Sequence, residues 1–306
     1  MAIVQTDIPM TAQRCNDTIL KITEAYPFCR SEVLTTTAFG RPIRTLVIGN
    51  GSRKVLYTAA HHANEWITAP LLLKFTEELA SAIQNGGTIY RTDATALAAT
   101  ATIYMVPMVD PDGVDLVTGA IEPRQPEYEA ARRLADQYPM VPFPSGWKAN
   151  LLGTDLNLNY PAGWLQAREN KFSQGFTRPG PRDYVGRSPL NQRETRALAD
   201  YTEVIDPELV LAYHSQGQVI YWQFEDYVIP GASELGQRFA EVSGYDLADT
   251  PYESAFAGYK DWFIQQFRRP GYTIEVGAGE NPLPLSQFDQ IYRDNLGILV
   301  TAARGE

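Results

Sequence analysis

The 306-residue chain has few of the residues that staple or anchor a protein. It has two cysteines, Cys15 and Cys29. That count excludes a disulfide framework and a four-thiolate zinc site, and free thiols are the expectation for both. No stretch reaches the roughly 18 apolar residues of a membrane-spanning helix. The first residues lack the basic run and apolar core of a secretory signal, so a cytoplasmic location is the default expectation. Cell-wall or spore association is the expectation if the chain begins within a longer one. Basic residues are outnumbered, 26 against 36 acids, for a net charge of −10. This excludes nucleic acid or an anionic membrane as the main partner, because both need a cationic surface, but it leaves room for a local basic pocket. Histidine is scarcer still, with three in the chain.

What is present is a globular composition, 44% hydrophobic and 20% charged, which can bury a large core. Apolar residues at Ile67, Leu71, Phe75, Leu79, Ala82 and Ile83 have helical spacing over 66–84. Further helices are expected at 11–25, 127–137, 194–204, 232–243, 261–267 and 286–303. Short apolar runs at 43–48, 55–59, 102–108, 209–213, 219–224 and 272–276 read as strands. Pro111-Asp112-Gly113 reads as a turn, and 161–193 as a long irregular loop rich in Gly, Pro and Arg. Strands alternate with helices, with no repeat and no linker. The expectation is a single α/β/α sandwich domain over 1–306, with a mixed, mostly parallel sheet of about eight strands.

All three histidines follow predicted strands: His61 and His62 in Ala59-Ala-His-His-Ala-Asn-Glu65, and His214 after Leu209–Tyr213. Ligands of open α/β sheets bind at the carboxyl ends of strands. His62 and Glu65, three apart, share a face of a helical turn, and with His214 they make three protein ligands with a position open to water, the pattern of a catalytic zinc ion. His61 with Glu65, four apart, is a competing pair on spacing alone.

Further segments fall in one order: Pro111-Asp112-Gly113, Gly153-Thr-Asp155-Leu-Asn157-Leu-Asn159-Tyr160, His214-Ser215 and Tyr272-Thr-Ile-Glu275-Val276. With His62-Ala-Asn-Glu65-Trp66 they resemble the zinc carboxypeptidase (M14) family. Trp147-Lys-Ala-Asn150 and Tyr259-Lys-Asp-Trp-Phe263 resemble its branch of γ-D-glutamyl-meso-diaminopimelate peptidases, which cut peptidoglycan stem peptides. The resemblance implies one zinc ion held by His62, Glu65 and His214, with Glu275 activating water and Asp155 orienting the first zinc histidine. His61 is then not a ligand. Ser215 and Asn157 match substrate-binding positions, and Tyr252 matches a mobile tyrosine that closes over substrate.

Departures from the pattern carry the substrate information. Leu158 stands where digestive members have an arginine that grips a terminal carboxylate, which argues against ordinary carboxypeptidase action. Lys148 replaces an arginine over the scissile carbonyl; it can stabilise an oxyanion as a point charge but without a bidentate fork. Lys260 falls at the specificity position of the leaving-group pocket and should select an acidic group such as diaminopimelate. Arg168, Arg178, Arg182 and Arg187 could reach an anionic peptide from the 161–193 loop. The leading expectation is a zinc peptidase cutting the γ-D-glutamyl–diaminopimelate bond. The alternatives are a zinc N-acyl amino acid deacylase, a general metallocarboxypeptidase and a non-catalytic peptidoglycan-binding relative.

Overall fold

The structure, a computed structural model, describes residues 2–305. Its strands in chain order are β1 (Val33–Thr36), β2 (Pro42–Arg44), β3 (Leu46–Gly49), β4 (Arg53–Ala59), β5 (Thr88–Ile89), β6 (Thr92–Asp93), β7 (Ala101–Val106), β8 (Leu209–His214), β9 (Val219–Tyr221), β10 (Asp246–Ala248) and β11 (Gly271–Glu275). The helices are α1 (Ala12–Ala25), α2 (Thr68–Asn85), α3 (Ala94–Thr100), α4 (Pro111–Val117), α5 (Pro126–Ala135), α6 (Trp164–Ser173), α7 (Arg193–Ile205), α8 (Ala232–Ser243), α9 (Tyr259–Phe267) and α10 (Phe288–Arg304).

Among the described residues the main sheet has seven strands rather than about eight, in the order β10-β9-β11-β8-β4-β7-β3. The central four, β7, β4, β8 and β11, run parallel; β3 and β9 are antiparallel to their inner neighbours. The run at 43–48 is not one strand. It breaks at Thr45, so that Pro42–Arg44 pairs with β1 outside the main sheet. Alternation along the strands builds two cores. Val55, Tyr57, Leu209, Leu211 and Tyr213 join one with α1, α2, α8 and α10, while Leu56, Val210 and Ala212 join the other with α6, α7 and α9. Helices on both faces of buried parallel strands give the α/β/α sandwich.

Two sequence expectations are corrected. Pro111-Asp112-Gly113 is the first turn of α4, with Asp110 Oδ1 accepting from Gly113 N at 2.9 Å and Pro111 at the first helical position. Gly113 is needed for packing, since a Cβ there would come within 2.6 Å of Ala149 O and 2.7 Å of the Ala63 side chain. The 161–193 segment is not irregular throughout but holds α6, whose apolar residues gather on no single stripe and so leave little periodic signal.

Candidate active site

The site is assembled where three adjacent parallel strands end. His214 is the last residue of β8 and pairs in register with Glu275, the last residue of β11. Beyond the end of β4, Ala60 adopts a left-handed φ of 48°. Such a backbone costs a non-glycine residue about 1–3 kcal/mol. It is held by Ala60 N donating to Thr68 Oγ1 (3.0 Å) and Ala60 O accepting from Asp110 N (2.9 Å). The chain then turns over the strand ends, and a short 3-10 turn, Ala63–Glu65, follows His62.

His62 Nδ1 lies 2.9 Å from Glu65 Oε1, His214 Nδ1 lies 2.9 Å from Glu65 Oε2, and the two nitrogens are 3.3 Å apart. His61 points elsewhere: its Nε2 meets Tyr160 Oη at 3.3 Å, and its ring stacks on His214 at 5.5 Å. The competing His61–Glu65 pair is therefore not the one the fold assembles. Behind His62, Nε2 meets Asp155 Oδ1 at 3.1 Å, and Asp155 Oδ2 accepts from Asp183 N at 3.2 Å. Lys148 Nζ is 2.8 Å from Glu65 Oε1.

These contacts set the charges. Burial pushes the Glu65 carboxyl up, but His62 and Lys148 outweigh it and hold it well below the usual range. Burial works against a charged His62, yet Glu65 beside it raises the imidazole to about 9. Burial lowers His214. Among the described residues Glu275 forms no ion pair; burial first, and then the Glu65 charge, push it up to about 8 against the pull of Lys148 and His62. Asp155, also buried, is pulled down by His62.

A cleft of about 550 Å³ opens over this cluster. His62, Lys148, Asp155, Asn157, Leu158, Ser215, Lys260 and Glu275 all line it. Asn157 Oδ1 accepts from Tyr259 N at 3.0 Å, which leaves its amide N–H groups as the end offered to the cleft. Ser215 N donates to Glu65 Oε2 at 3.2 Å, and its hydroxyl donates to Asn281 Oδ1 at 2.8 Å. Lys260 is buried, its ammonium 2.6 Å from Asp261 Oδ1 and donating to Gln223 O and Thr250 Oγ1. Tyr252 stands apart: it is 60% exposed, edge-on to Phe256 at 5.3 Å, and does not line the cleft. Of the four loop arginines, only Arg182 lines it. Arg168 covers the Trp164 and Phe172 rings, and Arg178 donates to Gln137.

Several lining residues were not anticipated, among them three charged or polar ones that touch one another or the predicted site. Lys171 and Asp183 form an ion pair at 2.8 Å, and Asn281 anchors Ser215 through both its hydroxyl and its carbonyl. The signal for Asn281 was the glycine-rich, Asn-Pro turn after the Glu275 strand. Lys171 had none, because its partner is twelve residues away across a loop.

Two imidazole nitrogens and a carboxylate converge within 4.8 Å of one another. Their spacings suit a tetrahedral zinc ion, whose bonds of about 2 Å hold its donors about 3.3 Å apart. Asp155 on the far nitrogen of His62 is the partner that fixes a ligating tautomer. The donors present therefore fit a zinc ion. Fold and cluster together define an α/β metallohydrolase. Residues 16–297 match the zinc carboxypeptidase family, and the chain belongs to that family, M14, whose members are zinc-dependent peptidases. It is 43% identical over 286 residues, 92% of this chain and 69% of the relative, to γ-D-glutamyl-L-diamino acid endopeptidase 1 of Lysinibacillus sphaericus. Among solved structures it is similar to bovine thrombin-activatable fibrinolysis inhibitor, with TM-score 0.74, 16% identity and 98% of both chains covered. It is also similar to the murein-tripeptide amidase MpaA of Escherichia coli O157, with TM-score 0.57, 20% identity, and 88% of this chain and 91% of that one covered. No helix among the described residues is long and apolar enough to cross a membrane.

Proposed function

We propose that this peptidase hydrolyses the γ-D-glutamyl–meso-diaminopimelate bond of peptidoglycan stem peptides. One observation carries the reading: in the cleft over the metal cluster Lys171 and Arg182 share one acid, Asp183, and Lys148 stands beside Glu65, while Leu158 offers no charge to a terminal carboxylate. A substrate with several free carboxylates and no need of a carboxypeptidase clamp suits that lining. The likeness to a γ-D-glutamyl-L-diamino acid endopeptidase supports the same bond.

Zinc bound by His62, Glu65 and His214 would polarise the scissile carbonyl and lower the pKa of water toward about 7. Glu275, at the end of β11, takes the proton of the attacking water on its carboxylate and delivers it to the departing amine. Lys148 presents a cation to the oxygen on which charge develops. Asn157 offers an N–H donor to a carboxylate of the leaving residue, and Asp155 holds His62 through Nε2. Tyr252, exposed at the rim, would have to swing inward to touch substrate.

Incubation of the zinc-loaded protein with L-Ala-γ-D-Glu-meso-diaminopimelate should release diaminopimelate, read by mass spectrometry. Chelator should abolish release and zinc restore it; release unaffected by chelation removes the metal assignment. Cleavage of a hippuryl L-peptide alone would mark a general carboxypeptidase, and cleavage of an N-acyl aspartate alone a deacylase. No cleavage of any of the three would favour a binding protein.

A further inference from the structure

Resting on the γ-D-glutamyl reading, we propose that Arg182 binds the free α-carboxylate of the γ-glutamyl group on the acyl side of the scissile bond, so that the enzyme favours the free acid over its α-amide. Lys171 and Arg182 share a single carboxylate, Asp183, at 2.8 and 2.5 Å. Two cations against one acid leave this trio with a net positive charge; Asp155 and Glu65, which also favour the Arg182 charge, are themselves engaged by His62 and Lys148. Lys171 is buried, so the charge within reach of a ligand is that of Arg182, whose side chain is 40% exposed and lines the cleft. Its Nε is the atom that donates to Asp183, which leaves the two terminal nitrogens of the fork for a ligand. A planar fork with two free donors matches a carboxylate bidentately.

Position selects which carboxylate. Arg182 stands close enough to Lys148, Asp155 and Glu65 to act on the charge of each, beside the metal cluster on the Asp155 side. Lys260, by contrast, is neutralised within the protein by Asp261 and touches Gln223 and Thr250. In a γ-linked glutamyl group the α-carboxyl is not used in the scissile bond. It remains ionised, a short carbon chain away from the reacting carbonyl, where an ordinary peptide with an uncharged residue carries nothing for Arg182 to bind. Asp183 also ties this cation to catalysis, because its N–H donates to the Asp155 carboxylate that holds His62.

The test uses the zinc-loaded protein with two substrates, L-Ala-γ-D-Glu-meso-diaminopimelate and the same tripeptide with the glutamyl α-carboxylate converted to a carboxamide. Wild type should favour the acid by about 10- to 100-fold in kcat/KM, the range of a charge-assisted pair. Arg182→Gln should bring the two substrates within about threefold of each other by losing rate on the acid alone, and Arg182→Lys should keep part of the preference. No preference in wild type, with both substrates cleaved, overturns the role of Arg182 while the γ-glutamyl reading stands. Equal loss on both substrates in Arg182→Gln also overturns it, and shows a structural action through Asp183. Cleavage of neither by wild type removes the γ-glutamyl reading, and this proposal with it.

Discussion

The two walls of the cleft both carry a lysine next to a buried carboxylate, Lys148 half-buried and Lys260 buried, and the resemblance ends there. On one wall Lys148 is paired with Glu65, an acid that also faces two imidazole nitrogens. Under the proposed mechanism a zinc ion on Glu65 would weaken its hold on Lys148, which would then have a charge to offer. On the other wall Lys260 is paired with Asp261, which has no second cation among the described residues, so this ammonium is balanced inside the protein. A lysine in a cleft is thus not by itself a binding charge; what its counter-ion is otherwise engaged in decides that. The same reasoning sets Arg182, one of two cations on a shared acid, with Lys148 rather than with Lys260.

The contrast can be attacked in order of expected effect. Glu275→Gln keeps all three metal donors and should bind zinc as wild type does, while turnover falls by about 10²–10⁴; near-normal turnover in a metal-loaded sample would remove Glu275 as the base. Lys148→Met should lower kcat by about 10²–10³ with little change in KM, as the loss of an oxyanion donor does. A rise in KM alone would make Lys148 a binding group. Asp155→Asn should weaken zinc affinity or activity by about 10- to 100-fold, measured by competition with a chromogenic chelator. Lys260→Met strands the Asp261 carboxylate in a buried site and should cost stability on the order of 3–5 kcal/mol in denaturant unfolding. Its effect on the preference for an acidic over a neutral leaving group should be the smallest of the four. A tenfold or larger change in that preference would show that substrate displaces Asp261, and the two walls would then be alike.

Much of this was legible in the chain. The helix Ala232–Ser243 has the limits its spacing predicts, and the buried strands expected at 209–213 and 272–276 are found one residue away, at Leu209–His214 and Gly271–Glu275. The candidate metal cluster was legible because His214 ends β8 while His62 and Glu65 follow the end of β4, and strand ends converge in an open sheet. Local turn chemistry was underused: Asp93 caps α3 through Ala96 N as Asp110 caps α4, and α3 was not anticipated. Counter-ions were invisible. Nothing near Lys148 in sequence points to Glu65, 83 residues earlier, and the Asp next to Lys260 could as well have faced away. The rim position of Tyr252 was equally hidden, since it depends on how the loop after β10 packs on Phe256.

One feature of the sheet bears on what the enzyme can read. Its outer strands offer little to a visiting chain: β10 is three residues long, and the free side of β3 is bridged by Arg30 through paired hydrogen bonds with Val47. Recognition by adding a strand to an edge requires an extended main chain of uniform chirality and regular repeat. A cleft over strand ends makes no such demand. A ligand with a D-centre and an isopeptide link has no regular backbone ladder to lose there, so irregular spacing along its main chain forfeits no strand pairing.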